Sequence, residues 1–419
     1  MDYICKQFGC NWKSRGGLQV VLIFLIMMCQ SYRGMNKLTD IFLGLALLFS
    51  IYMMVKGRFE YPEREFTIIF AFYSLSILLS TIFSVDVRES LDGIRSEFGK
   101  QIISFGIILV AAAPRESRYR AACIAFFLSG AVMVTAGLFP YFWGALASDD
   151  GYNRLKSLSG SYTRLAYFLT LFVPFLALYY TRSGVRGRII AVVLIVLSLT
   201  AVFYTKTRGG WICVPMALLA TLCFARKWKA AVIMCAATVA GILLLFALSP
   251  ALRERAQSFE ELRDWSGSFG MRKPLWESAA KTFREKPILG AGYGKYIFRN
   301  IYNLNPVAGA EAKSDTHNTF IEIAVQRGML GLLTTMALYL FFLKRAFKMR
   351  KLGPEGAAYF AFFAGISTAL FFFSIIDNLY VKETGRYLWQ IAALGYCLSP
   401  RISGRSGESS PEMRGSISS

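Results

Sequence analysis

A chain of 419 residues that is 55% hydrophobic and 15% aromatic carries more apolar surface than one water-soluble core of this length can bury, so lipid is its expected solvent. The net charge of +21 invites a nucleic-acid function, which is rejected here because basic loops facing anionic lipid account for it in a membrane protein. The eight cysteines fall in apolar runs or basic ends, so no disulfide framework is expected.

At the N-terminus Lys6, Lys13 and Arg15 precede the first apolar run, 18–32, as in a signal peptide. No small-residue cleavage chemistry follows, and the segment is expected to be a retained signal anchor. Cys5 and Cys10 have no neighbouring ligands to complete a zinc site. Uncharged runs long enough for a span, or nearly so, recur at 66–85, 121–148, 165–181, 189–205, 209–225, 230–252 and 357–376. Shorter runs at 41–55, 101–113, 328–343 and 387–399 can span if their flanks join the helix. The total predicts twelve spans and an all-α polytopic membrane protein. An even count puts both termini on one side. The segments sharing that side are the richer in lysine and arginine, which makes it the cytoplasm.

Four regions follow. Residues 1–248 form a transmembrane bundle of spans one to nine, 249–318 a periplasmic loop domain, 319–399 spans ten to twelve, and 400–419 a disordered cytoplasmic tail rich in serine, glycine and arginine. Within the loop, Trp276, Ala279, Ala280 and Phe283 recur at helical spacing and predict an amphipathic helix. Pro287 ends it, and Gly290, Gly292 and Gly294 form a turn rather than a dinucleotide fingerprint, because no strand precedes them.

Chemistry-bearing residues are few. His317, the sole histidine, stands where the loop enters the tenth span. With Asp315 or Thr316 capping that helix, His317 and Asn318 would occupy its first turn, at the water interface. An imidazole there can take a proton from a hydroxyl, or can simply cap a helix end. Lys206 and Arg208 share a short turn, Thr205 to Trp211, with two glycines. A phosphate is the natural guest for that pair, although cations at a membrane boundary also hold lipid headgroups. Arg272 precedes the loop helix, where it either faces the same cavity or is solvated. Glu322 and Arg327 lie in the tenth span, too poorly spaced to pair on one helix, so each should meet another element. One histidine without a cysteine argues against a transition-metal site, and no metal or cofactor is expected.

The stretch from His317-Asn318 through nine residues to Gly328-Met-Leu-Gly331 resembles the signature of the O-antigen ligase family. Arg208-Gly-Gly-Trp-Ile212 resembles its second motif, with Ile212 where the family has leucine. Arg272, Trp276 and Pro287-Ile-Leu-Gly-Ala-Gly292 follow the order that precedes the histidine in relatives. The resemblance covers residues 205–331. It implies a bacterial inner-membrane glycosyltransferase of the GT-C type that moves a glycan from undecaprenyl diphosphate to lipid A core in the periplasmic leaflet, inverting and metal-independent. It also implies that Arg208, Arg272 and Lys206 bind the donor diphosphate, that His317 acts on the acceptor hydroxyl and that Asn318 supports it. Two alternatives stay open. An O-antigen polymerase or protein O-oligosaccharyltransferase of the same superfamily would share the donor. A transporter or flippase would instead gather polar residues at the bilayer midplane on broken helices.

Overall fold

The computed structural model describes residues 14–143, 153–248, 270, 272–304, 315–378 and 383–398. Lys6, Lys13, Cys5, Cys10, parts of the 249–318 segment and the 400–419 tail lie outside the described residues.

Helices occupy every apolar run read from the sequence: α1 (Arg15–Cys29), α2 (Asn36–Val55), α3 (Arg64–Ile82), α4 (Val87–Gly93), α5 (Lys100–Leu109), α6 (Arg115–Phe142), α7 (Tyr162–Arg182), α8 (Val185–Tyr204), α9 (Arg208–Phe224), α10 (Trp228–Leu248), α13 (Thr319–Met349), α14 (Pro354–Ile376) and α15 (Glu383–Leu398). Two more, α11 (Arg272–Glu285) and α12 (Ile297–Leu304), stand between α10 and α13. A π-helical segment, Ile94–Gly99, joins α4 to α5, so the short run at 101–113 gains its length from its N-terminal flank. Among the described residues seven helices are long and apolar enough to cross a membrane, and shorter apolar helices cover Arg15–Cys29, Arg208–Phe224 and Trp228–Gly241.

The exterior is apolar, unlike that of a soluble protein, and polar groups lie within the core. Leu48, Val193, Val196, Val232 and Leu333 face outward, while Gln19, Ser76, Ser80, Arg327 and Gln390 are buried. An apolar exterior around a hydrogen-bonded interior is the arrangement a lipid solvent selects, because an unsatisfied polar group costs several kcal/mol there. Helix ends at one pole collect four ion pairs: Arg118 with Glu60 at 2.6 Å, Lys344 with Glu65 at 2.7 Å, Arg182 with Glu355 at 2.6 Å, and Arg345 with Glu63. His317 is at the other pole.

α13 is not continuous. Gly328 adopts φ 63°, ψ −162°, which breaks the helix between Arg327 and Met329. The break would strand the carbonyls of Val325 and Gln326 and the amides of Met329 and Leu330. The loop after α11 replaces their partners: Ala291 and Gly292 donate to those carbonyls at 2.9 and 3.0 Å, and Met329 and Leu330 donate to the carbonyls of Pro287 and Ile288 at 2.8 and 3.2 Å. The glycine turn expected at 290–294 is thus a plug seated in a helix break. Gly290 (φ 69°) packs its Cα where a side chain would strike the backbone of Gln326.

The amphipathic loop helix exists as α11, but its buried face is set by Leu275, Ser278, Ala279 and Thr282, with Trp276 half-buried and Ala280 exposed. Leu275 and Ala279 meet Ala291, Ile297, Phe298 and Val325 in a small core of their own. Helical spacing alone located the helix, and the shape of the plug chose the face.

Gly328→Ala should destabilise the protein by about 3 kcal/mol or more, because alanine resists this conformation and its Cβ would lie 2.2 Å from the Ile288 carbonyl oxygen. Gly106→Ala, at a helical site with open space, is the control. Thermal unfolding in detergent checks this, and equal melting temperatures for the two variants would refute the plug's structural role.

Candidate active site

The site is assembled from four helix ends. α9 starts at Arg208 after a turn in which the Thr207 amide donates to the Thr205 hydroxyl at 3.2 Å and Lys206 is buried with φ 50°. Trp211 Nε1 donates back to the Phe203 carbonyl at 3.1 Å, which fixes α9 against α8. Gly209 lets Phe373 of α14 approach so closely that a Cβ would sit 3.0 Å from its ring. The N-terminus of α9 therefore abuts the C-terminus of α14, where Asp377 follows.

α11 brings Arg272 in its first turn and Trp276 in its second, and Trp276 Nε1 donates to the Thr316 carbonyl at 3.0 Å. The segment before α13 is held by four further bonds. The Thr316 amide donates to Glu322 Oε2 at 2.8 Å, Asn318 Nδ2 to the Ile375 carbonyl at 3.1 Å, Thr319 Oγ1 to the Asp377 carbonyl at 2.9 Å, and the His317 amide to Asp315 Oδ1 at 3.0 Å.

The cap differs from the sequence expectation. Asn318, not Asp315 or Thr316, caps α13, its Oδ1 accepting from the amides of Phe320 and Ile321. His317 consequently stands ahead of the helix with φ 51° rather than inside its first turn. An Asp315 or Thr316 cap would have wound His317 into the coil and turned its ring from Asp377.

His317 Nδ1 lies 3.1 Å from Asp377 Oδ1 and 3.2 Å from Asp315 Oδ1, and 40% of its side chain remains exposed. With Nδ1–H donated to the carboxylates, Nε2 keeps its lone pair. Burial pulls the imidazole pKa down, but the bond to Asp377 and the charges of Asp315 and Asp377 prevail and hold it above the ordinary value, against the opposing charge of Arg272. Burial pushes Asp377 up, yet its bond to His317, the imidazolium charge and the adjacent Tyr167 bring it below the usual carboxylate range. Burial lowers the Arg272 pKa, Asp377 opposes this, and the like charge of Arg208 adds to the lowering. Arg208, Arg272, His317, Asp315, Asp377 and Tyr167 thus share one electrostatic neighbourhood.

Glu322 and Arg327 serve the scaffold. Glu322 accepts from the Thr316 amide and from Gln326 Nε2 at 2.7 Å, so its partners are local. Arg327 reaches across to α3, 3.5 Å from Ser76 Oγ with its guanidinium over Tyr73, and donates to Thr335 at 2.7 Å. Asp377 went unnoticed in the sequence. The available signal was parity: an acid ending the eleventh span emerges at the same pole as a histidine opening the tenth. Asp315, His317 and Asp377 have ligand atoms within 4.8 Å of one another and could accept a divalent cation, but the two guanidiniums in the same field oppose one and favour an anion.

Residues 193–336 match the family model described as O-Antigen ligase, a stretch that holds Arg208, Arg272 and His317. That stretch is similar to the O-antigen ligase family. Over 336 residues the chain is 22% identical to an O-antigen ligase of Salmonella typhimurium, spanning 76% of this chain and 80% of that one. It is 21% identical over 336 residues to an uncharacterized protein of Haemophilus influenzae, spanning 77% and 82%. The likeness is to a family of glycosyltransferase-type enzymes, and the apolar helices fit a multi-pass membrane protein.

Because His317 is the only histidine, NMR of histidine-labelled protein purified without a histidine tag reports its titration directly. The midpoint should lie above 6.5, and Asp377→Asn should lower it by removing the bond and charge that raise it. An unmoved midpoint would separate Asp377 from the imidazole.

Proposed function

We propose that this protein is an O-antigen ligase, joining a glycan carried on undecaprenyl diphosphate to lipid A core at the periplasmic face of the bacterial inner membrane. The observation that carries this is the convergence, at one pole of the bundle, of the start of α9 bearing Arg208, the start of α11 bearing Arg272 and a carboxylate-held imidazole. Arg208 and Arg272 receive the incoming diphosphate, and Lys206 in the same turn as Arg208 adds a third cation. The acceptor hydroxyl gives its proton to His317 Nε2 as its oxygen bonds to the anomeric carbon. The bond from that carbon to the diphosphate oxygen breaks, and the arginines stabilise the charge on the departing lipid diphosphate. Attack opposite the leaving group inverts the anomeric centre.

Membrane geometry agrees with an interfacial reaction. From Gly328 to Lys344 the helical rise is about 24 Å, close to the roughly 30 Å of hydrocarbon, so the break and the histidine above it belong near one membrane surface. In this reading the chain has twelve spans, both termini lie in the cytoplasm and 249–318 lies in the periplasm. The same geometry weighs against transport. A transporter's broken helix leaves backbone groups for substrate at the midplane, whereas here the chain's own loop takes them.

Purified protein given undecaprenyl-diphosphate glycan and lipid A core should yield one joined product, and lipid-linked repeats alone should not lengthen. Chain growth without lipid A core would replace the ligase by a polymerase, and labelling of a periplasmic protein by an O-oligosaccharyltransferase. His317→Ala should reduce transfer by about a hundredfold or more while leaving donor binding intact. Arg208→Lys and Arg272→Lys should fail nearly as badly as alanine, since an ammonium lacks the forked contact, and full activity in either would demote that residue. Transfer should persist in excess chelator. A strict need for divalent metal would transfer the leaving-group role from the arginines to a cation at Asp315, His317 and Asp377.

A further inference from the structure

The pole opposite His317 carries a cavity of about 590 Å³ between the C-terminal ends of α7 and α9 and the turn from α13 to α14. Arg182, Arg226, Lys227 and Arg350 all line it. Only Arg182 has a carboxylate partner among the described residues, Glu355 at 2.6 Å. Arg350 is steadied by the rings of Phe347 and Phe360, its guanidinium 4.4 and 5.8 Å from their centroids. Cations at this boundary are ordinary in a membrane protein. The cavity's neighbour sets this group apart. Leu178, Arg182 and Ala358 also line a second space of about 440 Å³, whose walls include Phe126, Phe175, Phe362 and Leu394. Arg182 thus stands between a cationic chamber and an apolar one.

We propose that this pole holds an anionic phospholipid, with its phosphate among Arg182, Arg226, Lys227 and Arg350 and an acyl chain in the adjoining apolar space. A headgroup without a chain would leave the apolar chamber unused, and a neutral lipid would leave net positive charge uncompensated. The helices that would grip the lipid are those whose far ends carry the candidate active site: α7 bears Tyr167, α9 bears Arg208, and α14 leads to Asp377. The lipid braces the three helices from below.

Full-length protein, stripped of lipid in mild detergent, is mixed with dioleoyl phosphatidylglycerol or dioleoyl phosphatidylcholine, and retained lipid is counted by native mass spectrometry. The phosphatidylglycerol should bind about tenfold or more tightly than the phosphatidylcholine, and the triple variant R226Q/K227Q/R350Q should lose most of that preference. These three side chains are exposed, so the variant should keep its wild-type melting temperature before lipid is added. Ala358→Phe narrows the junction while keeping every cation, and should weaken lipid binding by a similar factor. Excess inorganic phosphate should not displace the lipid. Equal retention of both lipids, undiminished binding in Ala358→Phe, or displacement by phosphate alone would each overturn the proposal. If the triple variant fails to fold, Arg226→Gln and Ala358→Phe carry the same comparison.

Discussion

Breaking an α-helix strands backbone carbonyls and amides, two of each at Gly328, and within a bilayer such groups cannot turn to water. At Gly328 the backbone of 287–292 supplies all four partners, so α13 and the plug are one hydrogen-bonded unit. Four such groups left buried and unpaired would cost on the order of 4–12 kcal/mol, comparable to the entire stability of many folds. Neither piece can keep its shape without the other. The consequences run outward from there: the plug sets the direction of α11, which delivers Arg272 and, through Trp276, grips the segment bearing His317.

The site's electrostatics follow from this geometry. Two carboxylates hold one side of the imidazole and orient its tautomer, and Arg208 and Arg272 lie in the same electrostatic neighbourhood. The plug and the α9–α14 packing hold these groups in place. A polyanion received by the arginines and a hydroxyl arriving at Nε2 would meet groups already in place, which is how preorganised charge lowers a barrier without costly rearrangement during reaction.

The helices were legible because lipid imposes long uncharged runs, and a run such as 357–376 leaves no other solution. Arg208 and His317 were legible as rare polar residues at span boundaries, and Arg272 as the arginine ahead of the loop helix. What escaped depended on contacts distant in the chain. Asn318 became the cap because its Nδ2 could also reach Ile375, a partner no local rule foresees. Asp377 gained meaning only beside His317, sixty residues earlier. The glycine spacing around 290 and 328 was visible as a pattern, but its cause, two segments exchanging backbone bonds, exists only in the folded chain.

The central claim is that Arg208 and Arg272 jointly receive the donor's diphosphate within reach of His317. A cryo-electron-microscopy structure with bound undecaprenyl-diphosphate glycan tests it most directly. The account predicts diphosphate oxygens touching both guanidiniums, with the anomeric carbon turned toward the open side of His317. A diphosphate held by other cations, with the Arg208 and Arg272 side chains turned away from it, would contradict it.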